Sequence, residues 1–222
     1  MPARKPRPVA ALMGDLVASE RARSLKAVHR AFNEAIDFAN DRYGADIESP
    51  LTITLGDEFQ GLTYTLAQAW EIASALRLRM LAASLSCRFV IGVVKLETPV
   101  NTREAWNMMG RGLAEARDKL NDKRASNAYR FSLPGETIVE PLLDAVGDCL
   151  TEVERGWTRT QLEYYSRSRD RSRTNAAIAK SLGVTARSLY KVLHAARGDF
   201  HRRQSAVVAR ALTALDERHG LK

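Results

Sequence analysis

The chain has 222 residues, of which 45% are hydrophobic and 27% charged, a balance that is typical of a globular protein and excludes an intrinsically disordered one. Its two cysteines, Cys87 and Cys149, have no cysteine or histidine at metal-ligand spacing, so neither a disulfide framework nor a zinc site is expected. No stretch reaches the roughly 18 apolar residues of a membrane span. We therefore expect a cytoplasmic protein that does not contact membranes.

The net charge of +8 is unevenly distributed along the chain. Residues 155–222 contain 15 Lys and Arg against 5 Asp and Glu, a local charge of +10, whereas residues 1–154 carry about −2. A basic module attached to a nearly neutral one indicates a polyanionic partner.

The first half of the chain alternates short strands with amphipathic helices. An apolar run over residues 9–13 predicts a buried strand that ends at Gly14-Asp15, and apolar residues at three- and four-residue spacing predict a helix over 20–43. Two β-rich runs follow, and Gly56-Asp57 suits the tip of a tight hairpin between them.

The next elements are a helix over 66–83, a strand over 87–96, a helix over 102–123 and a weaker strand over 129–133. The order β-α-ββ-α-β-α-β predicts an α+β sandwich with helices on one face of a mainly antiparallel sheet. From residue 136 onwards the sequence is wholly helical. We predict three parts: an α+β domain (1–135), a helical linker (136–154) and a basic helical domain (155–222).

Two carboxylates stand where strands of the first domain end. Asp15 follows the first strand, and Asp57 lies at the hairpin tip with Glu58 beside it. If these strands are neighbours, the carboxylates repel each other unless a cation or a proton lies between them, an arrangement typical of a magnesium site for nucleotide phosphates. The alternative is that Gly-Asp serves only as turn chemistry.

Residues 174–197 have the pattern of a helix-turn-helix, with Gly183 at the turn and Thr185 as the cap of the second helix. Residues predicted to contact DNA from that helix are Thr185, Arg187, Ser188 and Lys191, and those predicted to contact phosphates from the preceding stretch are Arg169, Arg171 and Arg173. The alternative is a structural or oligomerisation unit with a solvated basic face. A helix-turn-helix that binds a palindrome also predicts a homodimer.

The segments ALMGDLVAS (11–19) and TITLGDEFQG (52–61), followed by a helix-turn-helix, resemble the SatD family of bacterial proteins over nearly the whole chain. More distantly, the first domain is similar to the palm of class III nucleotide cyclases and GGDEF diguanylate cyclases. This resemblance implies a ferredoxin-like, nucleotide-cyclase-like sandwich and metal ligands at Asp15 and Asp57, with Glu58 as a third.

The ligands implied by this resemblance are Mg²⁺ or Mn²⁺ and a nucleotide. Arg111 and Arg117, on the predicted third helix, are candidates for phosphate contacts, although arginines on a helix face are more often simply solvated.

The main functional hypothesis from the sequence is a transcriptional regulator that binds double-stranded DNA and whose first domain binds a nucleotide or metal or mediates dimerisation. The alternative is a metal-dependent enzyme that cyclises or condenses nucleoside triphosphates. A third hypothesis treats the first domain as a scaffold for protein partners. The sequence weighs against turnover, because it does not reveal which positive groups would hold the reacting phosphates.

Overall fold

The structure, a computed structural model, describes residues 7–17, 24–170 and 172–221. One sheet organises the first half of this part of the chain. Its strands are β1 (Arg7–Leu16), β2 (Ile47–Leu55), β3 (Glu58–Thr63), β4 (Cys87–Leu96), β5 (Gly110–Arg111) and β6 (Tyr129–Ser132). Their order is β2-β3-β1-β4-β5, and β6 pairs with β4. Because β6 runs parallel to β4 while these other pairs are antiparallel, the fold is α+β with a mixed sheet.

Three helices connect the strands, and five follow them in the described residues. The connecting helices are α1 (Leu25–Tyr43), α2 (Leu66–Ala82) and α3 (Leu113–Asn121). The later ones are α4 (Val139–Arg155), α5 (Arg159–Ser168), α6 (Asn175–Ser181), α7 (Ala186–Ala195) and α8 (Gly198–His219).

Polar residues fix where the helices begin. The hydroxyl of Ser24 accepts a hydrogen bond from the backbone N–H of Ala27 at the start of α1, at 3.3 Å. Thr65 and Gln68 form a reciprocal capping box at the start of α2.

The predicted strand 87–96 has the observed bounds, and helix 66–83 ends one residue earlier than predicted. The predicted start of the first helix falls outside the described residues.

The predicted third helix is wrong over its first half. The structure has a loop over 97–109, and the helix begins only at Leu113. In this loop the side-chain oxygen of Asn101 accepts hydrogen bonds from the backbone N–H groups of Arg103 (3.1 Å) and Glu104 (3.3 Å). Such local bonds stabilise a turn in competition with the helix.

The two faces of the sheet are covered differently. One face packs against α1, α2 and α8 in the main hydrophobic core, which includes Phe32, Leu76 and Leu212. On the other face, Met13 of β1 and Val90 of β4 pack against Ala116 and Leu120 of α3. The sequence predicted that all the helices lie on one face of the sheet, and this is wrong, because α3 covers part of the second face.

Two of the C-terminal helices, α4 and α8, pack into the main hydrophobic core. Leu143 and Leu150 of α4 and Val208 and Leu212 of α8 are buried in the same core as the strands. In addition, the carboxylate of Asp216 on α8 accepts hydrogen bonds from two backbone N–H groups at the start of α2, at 2.6 and 3.2 Å. The division of the chain at residues 135 and 154 stays a prediction, since a shared core does not by itself define domain boundaries.

Two glycines with similar backbone conformations allow a matched test of the packing of α3. Gly112 (φ +94°) precedes α3, and an added Cβ would lie 2.7 Å from the carbonyl oxygen of Val93, whereas Gly135 (φ +87°) has nothing within 4 Å. Both alanine variants should lose about 1 to 2 kcal/mol through backbone strain. Gly112→Ala should lose a further 1 to 3 kcal/mol, roughly, through the contact with β4. Urea unfolding of both variants measures the difference, and equal losses would show that α3 does not depend on this close approach.

Candidate functional site

The candidate site lies at the end of the central strand β1, on the face that α3 partly covers. Asp15 is in register with Glu58 of β3 on one side and Arg88 of β4 on the other. Alternate residues of a strand share a face, so Asp15 lies on the same face as Met13, which packs against α3. The carboxylate of Asp15 is thus placed between an acidic and a basic neighbour, beyond the apolar part of this face.

The hairpin between β2 and β3 brings Asp57 to the same place. Gly56 adopts a positive φ of +43° at the tip, as the hairpin interpretation requires. The backbone carbonyl of Asp57 accepts a hydrogen bond of 3.0 Å from the N–H of Leu16, which ties the tip to the end of β1. The structure therefore brings together the three predicted ligands Asp15, Asp57 and Glu58.

Burial and mutual repulsion raise the pKa values of two of these carboxylates. Burial raises the pKa of Asp15, and the negative charge of Asp57 raises it further, while the hydrogen bonds and charge of Arg88 oppose both effects. Burial likewise raises the pKa of Glu58, with added repulsion from Asp15 and Asp57, and Arg117 opposes this rise. Burial is the larger cause of both rises, and repulsion between the carboxylates adds to it.

Arg88 is the residue of this site that sequence reasoning missed. Its Nε and Nη2 both donate to the Oδ2 atom of Asp15, at 2.8 and 2.6 Å, and the two side chains are only 12% and 11% exposed. The sequence shows Arg88 as a charged residue in the otherwise apolar start of β4, but its place beside Asp15 follows only from the register of β4 with β1.

The two arginines predicted to contact phosphates are in different places. Arg117 lies on α3 near Glu58, and its Nη2 donates to the side-chain oxygen of Gln60 at 2.9 Å. Arg111 lies in β5 opposite Lys95, which is itself paired with Pro8 at the other end of β1. Seven strand residues, or about 23 Å at 3.3 Å each, separate that end from Asp15. The structure therefore places Arg117, but not Arg111, at the carboxylate cluster.

The carboxylates do not form a preformed cage for a metal ion. Within the described ranges, no group of three or more His, Cys, Asp or Glu residues is arranged to hold a metal. Arg88 occupies one side of the Asp15 carboxylate as an ion pair. Because both of its bonds end on Oδ2, the second oxygen of Asp15 takes no part in this pair.

The residues predicted to contact DNA lie on the C-terminal helices. The hydroxyl of Thr185 caps α7 by accepting a hydrogen bond of 3.1 Å from the N–H of Ser188. Arg187, Ser188 and Lys191 are exposed on α7. The structure has two short helices at this place, α6 and α7, joined at Gly183 (φ +68°), but this does not establish a DNA-binding helix-turn-helix.

The arginines predicted to follow the DNA backbone are not all directed to that surface. Arg169 lines a cavity of about 550 Å³ between α2, α5 and α8. Arg173 donates to the backbone carbonyl of Ala177 at 3.4 Å, and Arg171 lies outside the described residues. Part of the basic charge that the sequence assigned to a polyanion therefore lies against the protein itself.

The fold and the carboxylate cluster define an α+β protein with a mixed sheet. The model of the SatD family matches residues 9–197, and the chain belongs to this family. No curated protein matches the sequence.

Solved structures that match the chain are nucleotide cyclase domains. The guanylate cyclase domain of RhGC from Catenaria anguillulae, in complex with GTP, is 17% identical, with 52% of this chain and 72% of that chain covered and a TM-score of 0.38. The adenylyl cyclase CyaB from P. aeruginosa is 16% identical, with the same coverage and a TM-score of 0.39. The monomeric guanylyl cyclase domain of the RhoGC fusion protein from Blastocladiella emersonii is 17% identical, covers 52% of this chain and 75% of that chain, and has a TM-score of 0.39.

The main functional hypothesis from the sequence, a DNA-binding transcriptional regulator, is wrong. The matching structures are adenylyl and guanylyl cyclase domains, and neither they nor the family match indicates DNA binding or transcription regulation. The predicted homodimer stays a prediction.

Among the helices of the described residues, none combines the length and apolar character needed to cross a membrane.

Proposed function

We propose that this protein binds a nucleoside triphosphate together with Mg²⁺ or Mn²⁺ at the Asp15, Asp57 and Glu58 cluster and cyclises or condenses it. The observation that carries the proposal is the convergence of Asp15 and Asp57 at the end of β1, with the pKa of Asp15 raised by burial and by the charge of Asp57. Neighbouring carboxylates that repel each other gain stability when a cation is placed between them.

The donor set suits this ligand chemistry. Mg²⁺ prefers oxygen ligands and is bound in proteins by one or two carboxylates together with substrate phosphates, which agrees with a site that has two well-placed aspartates rather than a closed cage. When bound, the cation would neutralise phosphate charge and polarise the reacting phosphoryl group. Asp15 and Asp57 would hold it, and Glu58 lies next to them.

The reaction also needs positive groups that belong to the protein itself. In cyclisation, the ribose 3′ hydroxyl gives up its proton to solvent water as its oxygen forms a bond to the α-phosphorus, the bond from that phosphorus to the bridging oxygen breaks, and pyrophosphate leaves with the electron pair. Phosphoryl transfer depends mainly on positioning and on stabilising the developing charge. Arg88 beside Asp15 and Arg117 beside Glu58 are placed to do this, and the sequence alone did not reveal Arg88.

Replacement of Asp57 by asparagine is the decisive experiment. The full-length protein is incubated with each of the four common nucleoside triphosphates and Mg²⁺ or Mn²⁺, and nucleotide products are identified by chromatography and mass spectrometry. We expect product from the wild type and a loss of about 100-fold or more in Asp57→Asn, the scale seen when one electrostatic contact to a transition state is removed. The same variant should lose the rise in melting temperature that cation and nucleotide produce, because ligands stabilise the folded state by mass action.

The matched control is Asp41→Asn, which makes the same change on the exposed side of α1. It should keep both the product and the rise in melting temperature. Asp57 is a better test than Asp15, because removing the Asp15 carboxylate would also leave Arg88 without its ion-pair partner. Failure to form product from any triphosphate with either cation, or equal activity in Asp57→Asn and the wild type, would refute the proposal.

A further inference from the structure

A second site is indicated by a basic cavity next to the carboxylate cluster. This cavity of about 200 Å³ lies between the start of β4, the start of β6 and the C-terminal end of α4. Five cationic residues line it, namely Arg77, Arg88, Lys123, Arg130 and Arg155. No aspartate or glutamate is among the described residues that line it. We refer to it as the basic cavity.

The positive charge of the basic cavity is only partly neutralised. Arg77 is paired with Glu154, Arg88 with Asp15 and Arg155 with Glu152. The remaining two, Lys123 and Arg130, form no ion pair with any carboxylate in the described part of the chain. Two of the five cations therefore have no direct carboxylate partner, although the charges of Asp122, Asp144 and Asp15 act on Arg130 from a greater distance.

Arg130 is the buried centre of this charge. It is only 2% exposed, and its guanidinium donates to uncharged oxygens rather than to a carboxylate: Nη1 to the carbonyls of Lys119 (2.6 Å) and Leu120 (3.0 Å), Nη2 to the carbonyl of Ala125 (2.7 Å), and Nε to the backbone (3.3 Å) and side-chain (3.2 Å) oxygens of Asn127. Burial lowers the pKa of Arg130 and the like charge of Arg88 lowers it further, while the charges of Asp122, Asp144 and Asp15 oppose this decrease. A buried cation that also faces another cation is stabilised by an anion placed between or beside them.

The size and mouth of the cavity are suited to a small oxyanion. At about 30 Å³ per water molecule, 200 Å³ corresponds to roughly seven waters, which leaves room for a small oxyanion. The Lys123 ammonium and the forked Arg155 guanidinium supply hydrogen-bond donors for phosphate oxygens, and the Arg155 side chain is about half exposed. The donors come from several elements, so the charge is concentrated by the fold and not by a run of basic sequence.

We propose that the basic cavity binds a phosphate-class oxyanion, such as inorganic phosphate, pyrophosphate or the phosphate end of a larger molecule. This goes beyond the proposed function, because it requires no divalent cation and neither Asp57 nor Glu58. Arg88 borders both places, so an anion held in the cavity would compete with Asp15 for the same guanidinium.

Lys123→Ala tests the proposal, with Arg124→Ala as its matched control. Both variants remove one positive charge from adjacent residues, but Arg124 does not line the cavity and its side chain is 92% exposed. Binding of inorganic pyrophosphate to the full-length protein is measured by calorimetry in EDTA at constant ionic strength. We expect Lys123→Ala to weaken binding by about tenfold or more, as for loss of one charge-assisted hydrogen bond, and Arg124→Ala to leave it nearly unchanged.

Two further arms identify the anion and separate this site from the first. Lys123→Arg should retain binding, since it keeps a donor and a charge. Asp57→Asn should bind pyrophosphate as the wild type does. Pyrophosphate binding in the basic cavity can therefore be confirmed or refuted even if the protein has no enzyme activity. If a nucleoside triphosphate binds in EDTA and Lys123→Ala weakens its binding as much as that of pyrophosphate, the ligand is the phosphate end of a nucleotide. If only the inorganic ions bind, the ligand is a free oxyanion. Absence of binding by phosphate, pyrophosphate and triphosphate, or equal weakening in Lys123→Ala and Arg124→Ala, would overturn the proposal.

Discussion

Glu154→Gln is expected to lower the free energy of unfolding by about 3 to 5 kcal/mol, because it removes one partner of a buried ion pair and leaves the other charge uncompensated. Glu154 has a fully buried side chain, and its Oε2 accepts a hydrogen bond of 2.8 Å from Nε of Arg77, which is only 3% exposed. Its Oε1 accepts from the hydroxyl of Tyr129 at 2.7 Å and contacts Nε2 of His201 at 2.9 Å. The one carboxylate thus joins α2, β6 and α8.

The pH dependence of stability gives a second measurement of the same effect. Burial raises the pKa of Glu154, but the hydrogen bonds and charges of His201 and Arg77 outweigh burial, and the net pKa lies below its ordinary value of 4.5. A lowered pKa in the folded state means that the unfolded state binds more protons below pH 4.5. The stability contributed by Glu154 is therefore complete above that value and is lost as the pH falls further.

The control for this variant is Glu152→Gln, two residues earlier on α4. Glu152 pairs with Arg155 at the surface, where its side chain is 62% exposed, and such pairs contribute about 0 to 1 kcal/mol. Chemical unfolding at pH 7 and in the acid range compares the two variants with the wild type. A loss of less than 1 kcal/mol in Glu154→Gln, or an acid dependence equal to that of the wild type, would contradict the role assigned to this network.

Local chemistry made the carboxylate cluster predictable. Gly56-Asp57 has the composition of a two-residue hairpin tip, and Asp15 ends an apolar run, so the sequence shows that both aspartates stand at strand ends. Their proximity follows once β3 pairs with β1, as the register of Asp15 with Glu58 shows. Arg88 lies 73 positions from Asp15 along the chain, and only the pairing of β4 with β1 brings them together.

The error about the C-terminal helices has a different physical origin. A count of charges in sequence cannot tell which arginines face a partner and which face the protein. Arg218 pairs with Glu136, Arg202 hydrogen-bonds to Ser168, and Arg169 lines the cavity beside α2. The same limit applies to the basic cavity, because its charges come from α2, β4, β6, α4 and the segment after α3, and none of these segments is unusually basic in sequence.

The packing of α8 likewise could not be read from its own sequence. An amphipathic helix shows that it has an apolar face but not which surface covers that face. Here the face is covered by α2 and by α4, and Asp216 caps the start of α2 from a distance of 150 residues along the chain.

Leu212→Ala should therefore lower the free energy of unfolding by about 2 to 5 kcal/mol and should destabilise the sheet as well as the C-terminal helices. Leu212 on α8 is fully buried in the core that also contains residues of β1 and β4, so a cavity left there removes contacts from both halves of the chain. Leu142→Ala makes the same substitution at a position on α4 that is 61% exposed and should change stability by less than 1 kcal/mol, roughly. Circular dichroism and tryptophan fluorescence, followed together during urea unfolding, should show one shared transition that moves to lower urea in Leu212→Ala. Two separate transitions, with only one shifted, would instead show that residues 1–135 unfold as a domain of their own and that α8 does not contribute to their stability.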